Sequence, residues 1–181
     1  MQNIVLIGFM GTGKTTVGRL VAEVLGMRFV DMDVVIEERA GQSISAIFAQ
    51  HGEPHFRALE RALVQELSAQ TGLVIATGGG VVLNPENTRD YARSGLLICL
   101  RASPETILQR TAKEKHRPLL EQDDKFKRIC SILEARKQLY DAIPRQIDTN
   151  TRTPEAIAVE IVGLYRQNKI AATERGSHLQ E

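Results

Sequence analysis

Tryptophan is absent from this 181-residue chain and aromatic residues of all kinds reach only 4%. Without an aromatic stacking platform or a basic bias, the sequence offers nothing on which to bind nucleic acid. Net charge is +1 at neutral pH and the pI is near 7.8, so no global field draws the chain to a polyanion or an anionic membrane. Only two cysteines occur, Cys99 and Cys130, in neither a metal-binding nor a redox spacing, and both read as reduced, packed thiols. The histidines (His51, His55, His116 and His178) likewise lack metal-ligand spacing. No apolar run approaches the length of a membrane span, and no charged leader precedes the first apolar segment. A cytoplasmic protein that engages small molecules rather than nucleic acid or membrane is the expectation, and a monomer is expected.

Hydrophobic residues make up 43% and charged residues 25%, enough for one domain with an ordinary core. Short apolar runs alternate with longer helical patterns. Strands are expected at 3–7, 28–31, 73–76, 96–100 and 145–148. The runs Leu73-Val74-Ile75-Ala76 and Leu96-Leu97-Ile98-Cys99-Leu100 are apolar throughout, as parallel strands buried on both faces are. Val17, Leu20, Val21, Val24 and Leu25 mark a first helix that Gly26 stops. Further helices are expected near 33–40, 44–50, 54–70, 85–93, 104–114, 125–143 and 154–168. Pro104 and Pro154 each follow a Ser or Thr, the pattern of an N-cap and a first-turn proline. This alternation predicts an α/β fold with a parallel sheet and ligands at the carboxyl ends of its strands. From Ile170 periodicity fades, and residues 170–181 are expected to form a loose tail.

The segment Gly8-Phe9-Met10-Gly11-Thr12-Gly13-Lys14-Thr15 joins the first strand to the first helix. It matches the P-loop pattern in the strand–loop–helix context that the pattern requires. Glycines let the loop amides close on phosphate oxygens; Lys14 would reach the β- and γ-phosphates, and the Thr15 hydroxyl would help hold Mg²⁺. The second strand ends in Asp31-Met32-Asp33, whose alternating geometry turns both carboxylates toward the P-loop. Asp31 suits Mg²⁺ or its waters. Asp33 could accept a hydrogen bond from a substrate hydroxyl, or simply cap the next helix.

Arg57 and Glu60 stand i,i+3 on a helix beginning near Pro54. Spacing alone favours a solvated surface pair; the alternative is that Glu60 pins the guanidinium for an anionic substrate. Gly78-Gly79-Gly80 closes the third strand, where close approach of backbone to ligand is expected. Arg136 falls on the apolar stripe Phe126, Ile129, Leu133, Tyr140, Ile143. Such a charge needs an anionic partner or an opening onto a cleft. Residues 110–124, dense in charge and broken by Pro118, read as a surface loop by default and suit a lid beside a phosphoryl-transfer site.

Taken in order, these motifs resemble the shikimate kinase family over about residues 3–165. The resemblance rests on Gly8–Thr15, Asp31-x-Asp33 and Gly52-Glu53-x-x-Phe56-Arg57-x-x-Glu60. It continues through Gly78-Gly79-Gly80, Arg117-Pro118-Leu119, Arg136 before Tyr140, and Asp148-Thr149 with Thr153-Pro154. It implies a three-layer P-loop kinase fold with a five-stranded parallel sheet in order 2-3-1-4-5, helices on both faces and a mobile lid at about 111–124. Residues 1–169 would form the single domain, with a substrate-binding region about 33–60. The implied activity is ATP- and Mg²⁺-dependent phosphorylation of the shikimate 3-hydroxyl, on the way to chorismate and the aromatic amino acids.

By the same resemblance, Gly11, Thr12, Gly13, Lys14, Thr15 and Thr16 would cradle ATP. Arg110, Arg152 and Pro154 would flank adenine, and Arg117 of the lid would touch the phosphates. Arg57 and Arg136 would bind the substrate carboxylate, Asp33 its hydroxyls, and Gly79 and Gly80 would contribute close contacts. Phe48 and Phe56 would lie near the acceptor. Lys14, Asp33 and Arg117 would be catalytic, and Thr15 and Asp31 would serve the metal. No aspartate ends the third strand, where Ala76-Thr77-Gly78 stands, which is why the metal-side carboxylate falls to Asp31. A gluconate kinase, or a nucleotide-binding module without catalysis, is the alternative.

Overall fold

The computed structural model describes residues 2–112 and 124–177. Five parallel strands form one sheet: β1 (Asn3–Ile7), β2 (Arg28–Asp31), β3 (Leu73–Ala76), β4 (Gly95–Arg101) and β5 (Gln146–Asp148), in the order β2-β3-β1-β4-β5. Register follows from pairs such as Val5 with Ile75 and Leu97, and Asp31 with Ala76. The helices are α1 (Lys14–Leu25), α2 (Met32–Ala40), α3 (Ile44–Ser68), α4 (Pro85–Ser94), α5 (Pro104–Thr111), α6 (Lys125–Asp141) and α7 (Pro154–Ser177).

Alternation along β1 divides the core. Ile4 and Leu6 point to the layer built with α1 and α7, through Val17, Val21, Ile157 and Ile161. Val5 and Ile7 point to the opposite layer, with Ile47, Leu63, Tyr91 and Ile129. All of these side chains are buried, so truncating any one would cost about 2–5 kcal/mol. Asn3, buried at the start of β1, is saturated by the backbone: Nδ2 donates to Gln70 O at 2.8 Å and Oδ1 accepts from Leu73 N at 2.9 Å.

The expected strands appear in place, and the differences lie in the helices. The helices expected at 44–50 and 54–70 both form; they run on as α3 but are separated, as expected, by a kink where Gly52 takes φ 78° and ψ 170°. Only a residue without Cβ adopts that conformation cheaply, and Pro54 then restarts the helix. A short 3₁₀ turn at Val81–Leu83, unforeseen in the sequence, follows the glycine triplet. The helix expected at 104–114 closes at Thr111, and the one expected at 125–143 closes at Asp141. Finally, α7 continues to Ser177, where a loose tail was expected from Ile170. Fading hydrophobic periodicity was a poor guide there, because Lys169-Ile-Ala-Ala-Thr-Glu-Arg is built mostly of good helix formers.

Candidate active site

The carboxyl ends of β1, β2 and β3 open into one cavity of about 1060 Å³. Its lining collects residues from widely separated parts of the chain: Gly11, Thr12, Gly13, Lys14, Thr15 and Thr16 from the P-loop and α1, and Asp31 and Asp33 from the β2–α2 junction. Arg57 and Glu60 come from α3, Gly78, Gly79 and Gly80 from the loop after β3, and Arg136 from α6. Arg110, Arg152 and Pro154 complete the far wall. Every candidate site residue read from the sequence therefore lines this cavity, except Arg117. Arg117 and most of the expected lid lie outside the described residues.

At the phosphate end, Gly8 has φ 147°, and a Cβ there would run into the Leu100 carbonyl on β4. The loop can thus pass this close to the sheet only with glycine. α1 begins at Lys14 with no side-chain cap on its first amides, leaving a helix N-terminus suited to an anion. Lys14 Nζ donates to the carbonyls of Gly8 at 2.8 Å and Phe9 at 2.9 Å, which folds its ammonium over the loop. Thr12 holds the loop from below, its hydroxyl donating to Phe9 O at 2.7 Å. Arg110 reaches across the opening, donating to Gly11 O at 3.3 Å and to Thr149 O at 2.6 Å. It thereby ties the P-loop to the β5–α7 connection that carries Arg152 and Pro154. Arg152 is paired with Glu160 at 2.5 Å.

The Thr15 hydroxyl donates to Asp31 Oδ2 at 2.7 Å. Two hard oxygen donors thus meet at the mouth of the cradle, a set that fits Mg²⁺, which typically takes one or two protein ligands beside phosphate oxygens. The other Asp31 oxygen, Oδ1, accepts from Asp33 N at 3.1 Å and caps α2. The capping role open to Asp33 in the sequence therefore belongs to Asp31, and Asp33 sits in the first turn of α2, lining the cavity.

The acceptor end is built on α3 and α6. Arg57 Nη1 donates to Glu60 Oε2 at 2.9 Å, while Nε and Nη2 both reach Glu53 Oε1, at 3.1 and 2.9 Å. Burial disfavours the charge on Arg57, but its two carboxylate partners outweigh this and raise its pKa. The guanidinium also lies 5.1 Å from the centre of the Phe56 ring, which packs on Phe48. Glu60 is only 1% exposed, so the surface pair favoured by spacing alone is not what forms. Its burial was legible on the helix face: Phe56, Glu60, Leu63, Val64 and Leu67 share the buried side of α3. An acid on an apolar face is the same signal that singled out Arg136. Burial pushes the Glu60 carboxyl up from its ordinary value, Arg57 opposes this, and neighbouring Asp33 adds to it.

Arg136, 8% exposed, donates to Gly79 O at 3.1 Å, and the Tyr140 hydroxyl donates to the same carbonyl at 2.6 Å. Burial pushes that phenol up to about 12, so it stays a donor at any physiological pH. Of the two outlets open to a cation on the apolar stripe, the structure gives Arg136 the cleft. Beside it, a Cβ on Gly80 would collide with the Arg57 guanidinium, which lies flat against the glycine.

A phosphate cradle, an uncapped helix start, paired oxygen donors and, some residues away, two arginines beside an aspartate define a P-loop kinase of small molecules. The shikimate kinase family model matches residues 10–166. A shikimate kinase of Caldanaerobacter subterraneus is 48% identical over 91% of this chain and 96% of its own length. One from Thermodesulfovibrio yellowstonii is 46% identical over 92% of this chain and 96% of its own. Among solved structures, shikimate kinase from Acinetobacter baumannii in complex with shikimate superposes with a TM-score of 0.89 at 38% identity, covering 93% of this chain and 95% of that one. The chain belongs to the shikimate kinase family and is accordingly a phosphotransferase; that membership favours this family over the gluconate kinase that the cradle alone would also allow.

Proposed function

We propose that this chain transfers the γ-phosphoryl group of ATP to the 3-hydroxyl of shikimate, giving shikimate 3-phosphate and ADP, with the residues of the cavity in the following roles. The observation that carries the reading is that one cavity joins a phosphate cradle to two arginines flanking an aspartate, Asp33. Shikimate is an anion with neighbouring hydroxyls, so it needs a cationic clamp at one end and an acceptor at the other. Arg57 and Arg136 supply the clamp, with guanidinium geometry matched to a carboxylate. Asp33 orients the attacking hydroxyl and receives its proton as the oxygen–phosphorus bond forms and the bond to ADP breaks. In a loose transition state this orienting role outweighs base strength.

Lys14 and the amides of the P-loop hold the β- and γ-phosphates in line. Thr15 and Asp31 would hold Mg²⁺, whose contribution is to neutralise charge on the phosphates. Arg110, Arg152 and Pro154 flank the nucleotide base, and Arg117 would bring a further cation to the phosphates from the lid. Cytoplasmic location and a monomeric state complete the proposal. They accord with the near-neutral charge and with the fact that no described helix is long and apolar enough to cross a membrane.

ADP release measured with ATP and Mg²⁺, with and without shikimate and against a panel of hydroxy acids including gluconate, tests the reading. Release that depends on shikimate is expected; release driven equally by gluconate, or by no acceptor, would refute it.

A further inference from the structure

Glu60 is a buried charged group of the cavity that the proposed mechanism does not use. Its Oε2 is bonded to Arg57, but Oε1 is buried with no hydrogen-bond partner, and among the described residues only Ser68 Oγ shares that condition. An orphaned carboxylate oxygen costs about 1–3 kcal/mol, or more when charged, so its persistence calls for a physical reason. Its surroundings give one. A Cβ placed on Gly78 would stand 2.9 Å from Asp33 Oδ1 and 3.1 Å from Glu60 Oε1, so the two carboxyl oxygens face one point above the glycine.

The charges around Glu60 come from every side. Arg57, backed by Glu53, lies on the same helix; Asp33 faces it from α2, Arg136 from α6, and the buried Tyr91 hydroxyl from α4. Tyr91 is neutral and donates to Met32 Sδ at 3.0 Å, so it does not compensate the acid. Glu60 therefore shares Arg57 with Glu53 before any substrate arrives. An incoming carboxylate claims Arg57 and Arg136 and adds a further negative charge beside Glu60. Around so buried a carboxyl as Glu60, electrostatics resolves the added charge by protonating the group that is least hydrated.

We infer that Glu60 is a proton-holding positioning residue: as the acceptor's carboxylate engages Arg57 and Arg136, a lone pair of Glu60 Oε1 takes a proton from solvent, and the resulting carboxyl O–H points at Asp33 Oδ1 and fixes that side chain for the reacting hydroxyl. The inference rests on the clamp reading above and names what that reading leaves over. Only an O–H bond forms, and the proton is returned to solvent when the product leaves. Glu60 does not touch the reacting atoms; it acts through Asp33.

Calorimetric titration of the protein with shikimate, in buffers of different ionisation enthalpy near neutral pH, tests this directly. The binding heat is expected to vary with the buffer in the sense of proton uptake. The Kd should weaken as pH rises, by up to about tenfold per unit. In Glu60→Gln, whose amide N–H can still face Asp33, both dependences should vanish while shikimate still binds. Buffer-independent heats in the unmodified protein, or proton uptake that persists in Glu60→Gln, would overturn the inference and leave the clamp reading intact. Failure of shikimate to bind at all, with ATP binding preserved, would overturn the clamp reading itself. Should Glu60→Gln not fold, carbon-13 labelling of glutamate carboxyls in the unmodified protein decides: one protonated carboxyl must appear on saturation with shikimate, and its absence refutes the proposal.

Discussion

Gly80→Ala separates the acceptor site from the fold. Gly80 has φ −95° and ψ 0°, a backbone conformation that alanine tolerates, so no strain arises from the main chain. The new methyl, however, would stand 2.5 Å from Arg57 Nη1 and 2.7 Å from its Cζ, with Nη2 nearer still. Ordinary contacts of this kind lie near 3.5 Å, so the guanidinium must retreat by about 1 Å. Such a retreat carries Nη1 from 2.9 Å to beyond hydrogen-bond reach of Glu60 Oε2 and leaves the buried acid without its cation. Arg57 keeps Glu53, so the cost in stability should be about 1–3 kcal/mol. The clamp loses more: a displacement of about 1 Å at a positioning group costs up to about 100-fold. We expect the KM for shikimate to rise by about 10–100-fold in a coupled ADP-release assay. ATP affinity, set by the P-loop on the other side of the cavity, should stay unchanged. A KM within about twofold of the parent's, in a folded variant, would refute the claim that Gly80 is kept small for Arg57.

The remaining expectations are more direct. Asp33→Asn should lower kcat by about 10²–10⁴-fold while fluorescence titration still detects ATP binding, and near-normal turnover would remove Asp33 from the mechanism. Gly8→Ala forces a side chain into left-handed backbone and against the Leu100 carbonyl, and should cost about 3–5 kcal/mol, seen as a fall in Tm on the order of 10 °C. Glu60, whose carboxyl is raised in the folded state by burial, adds stability that is complete below its ordinary value and fades as pH rises through the raised one. Denaturant titrations should therefore show Glu60→Gln gaining on the parent as pH rises from acid to neutral; a parent that gains on Glu60→Gln over that range contradicts the assignment.

How much of this was legible in the chain depended on whether the signal was local. The parallel sheet was readable because β1, β3 and β4 are apolar on both faces, and the P-loop because strand, glycines and helix start are contiguous. Arg136 was readable as a charge on an apolar stripe. Glu60 carries the same signature on α3, yet its i,i+3 spacing from Arg57 suggested a surface pair instead. The apolar face marks Glu60 as buried, but the helices that cover it, α2 and α4, come from elsewhere in the chain, so the spacing alone did not show that the pair is covered. The division of labour between Asp31 and Asp33 was illegible for a related reason: the residue that caps α2 depends on where β2 ends, and that lies one residue from where the helix begins. At Gly52, a glycine before Pro54 was read as a boundary between helices. The backbone does leave helical geometry at Gly52, and the kink keeps Glu53 and Arg57 on one side of it.

The partners of the cations show how the two ends of the cavity differ. Arg110 and Arg136 are held by neutral backbone carbonyls of Gly11, Thr149 and Gly79. A phosphate or carboxylate that displaces such a partner gains a charge-assisted bond and leaves behind only a carbonyl, which water or a nearby amide can satisfy. Arg57 is held by two carboxylates, one of them Glu60 in a setting too dry to be rehydrated. Arg152 also has an acid, Glu160, but that pair is exposed enough for solvent to screen it. An anion that binds Arg57 must therefore share it with a buried carboxylate, and gains least unless Glu60 is neutralised or the anion brings hydroxyls for Asp33 at the same time. Inorganic phosphate, which offers charge without the hydroxyls, should consequently compete poorly at the acceptor end while ADP competes well at the nucleotide end. The selectivity of this cavity lies in how costly Arg57 is to win, more than in how much positive charge it contains.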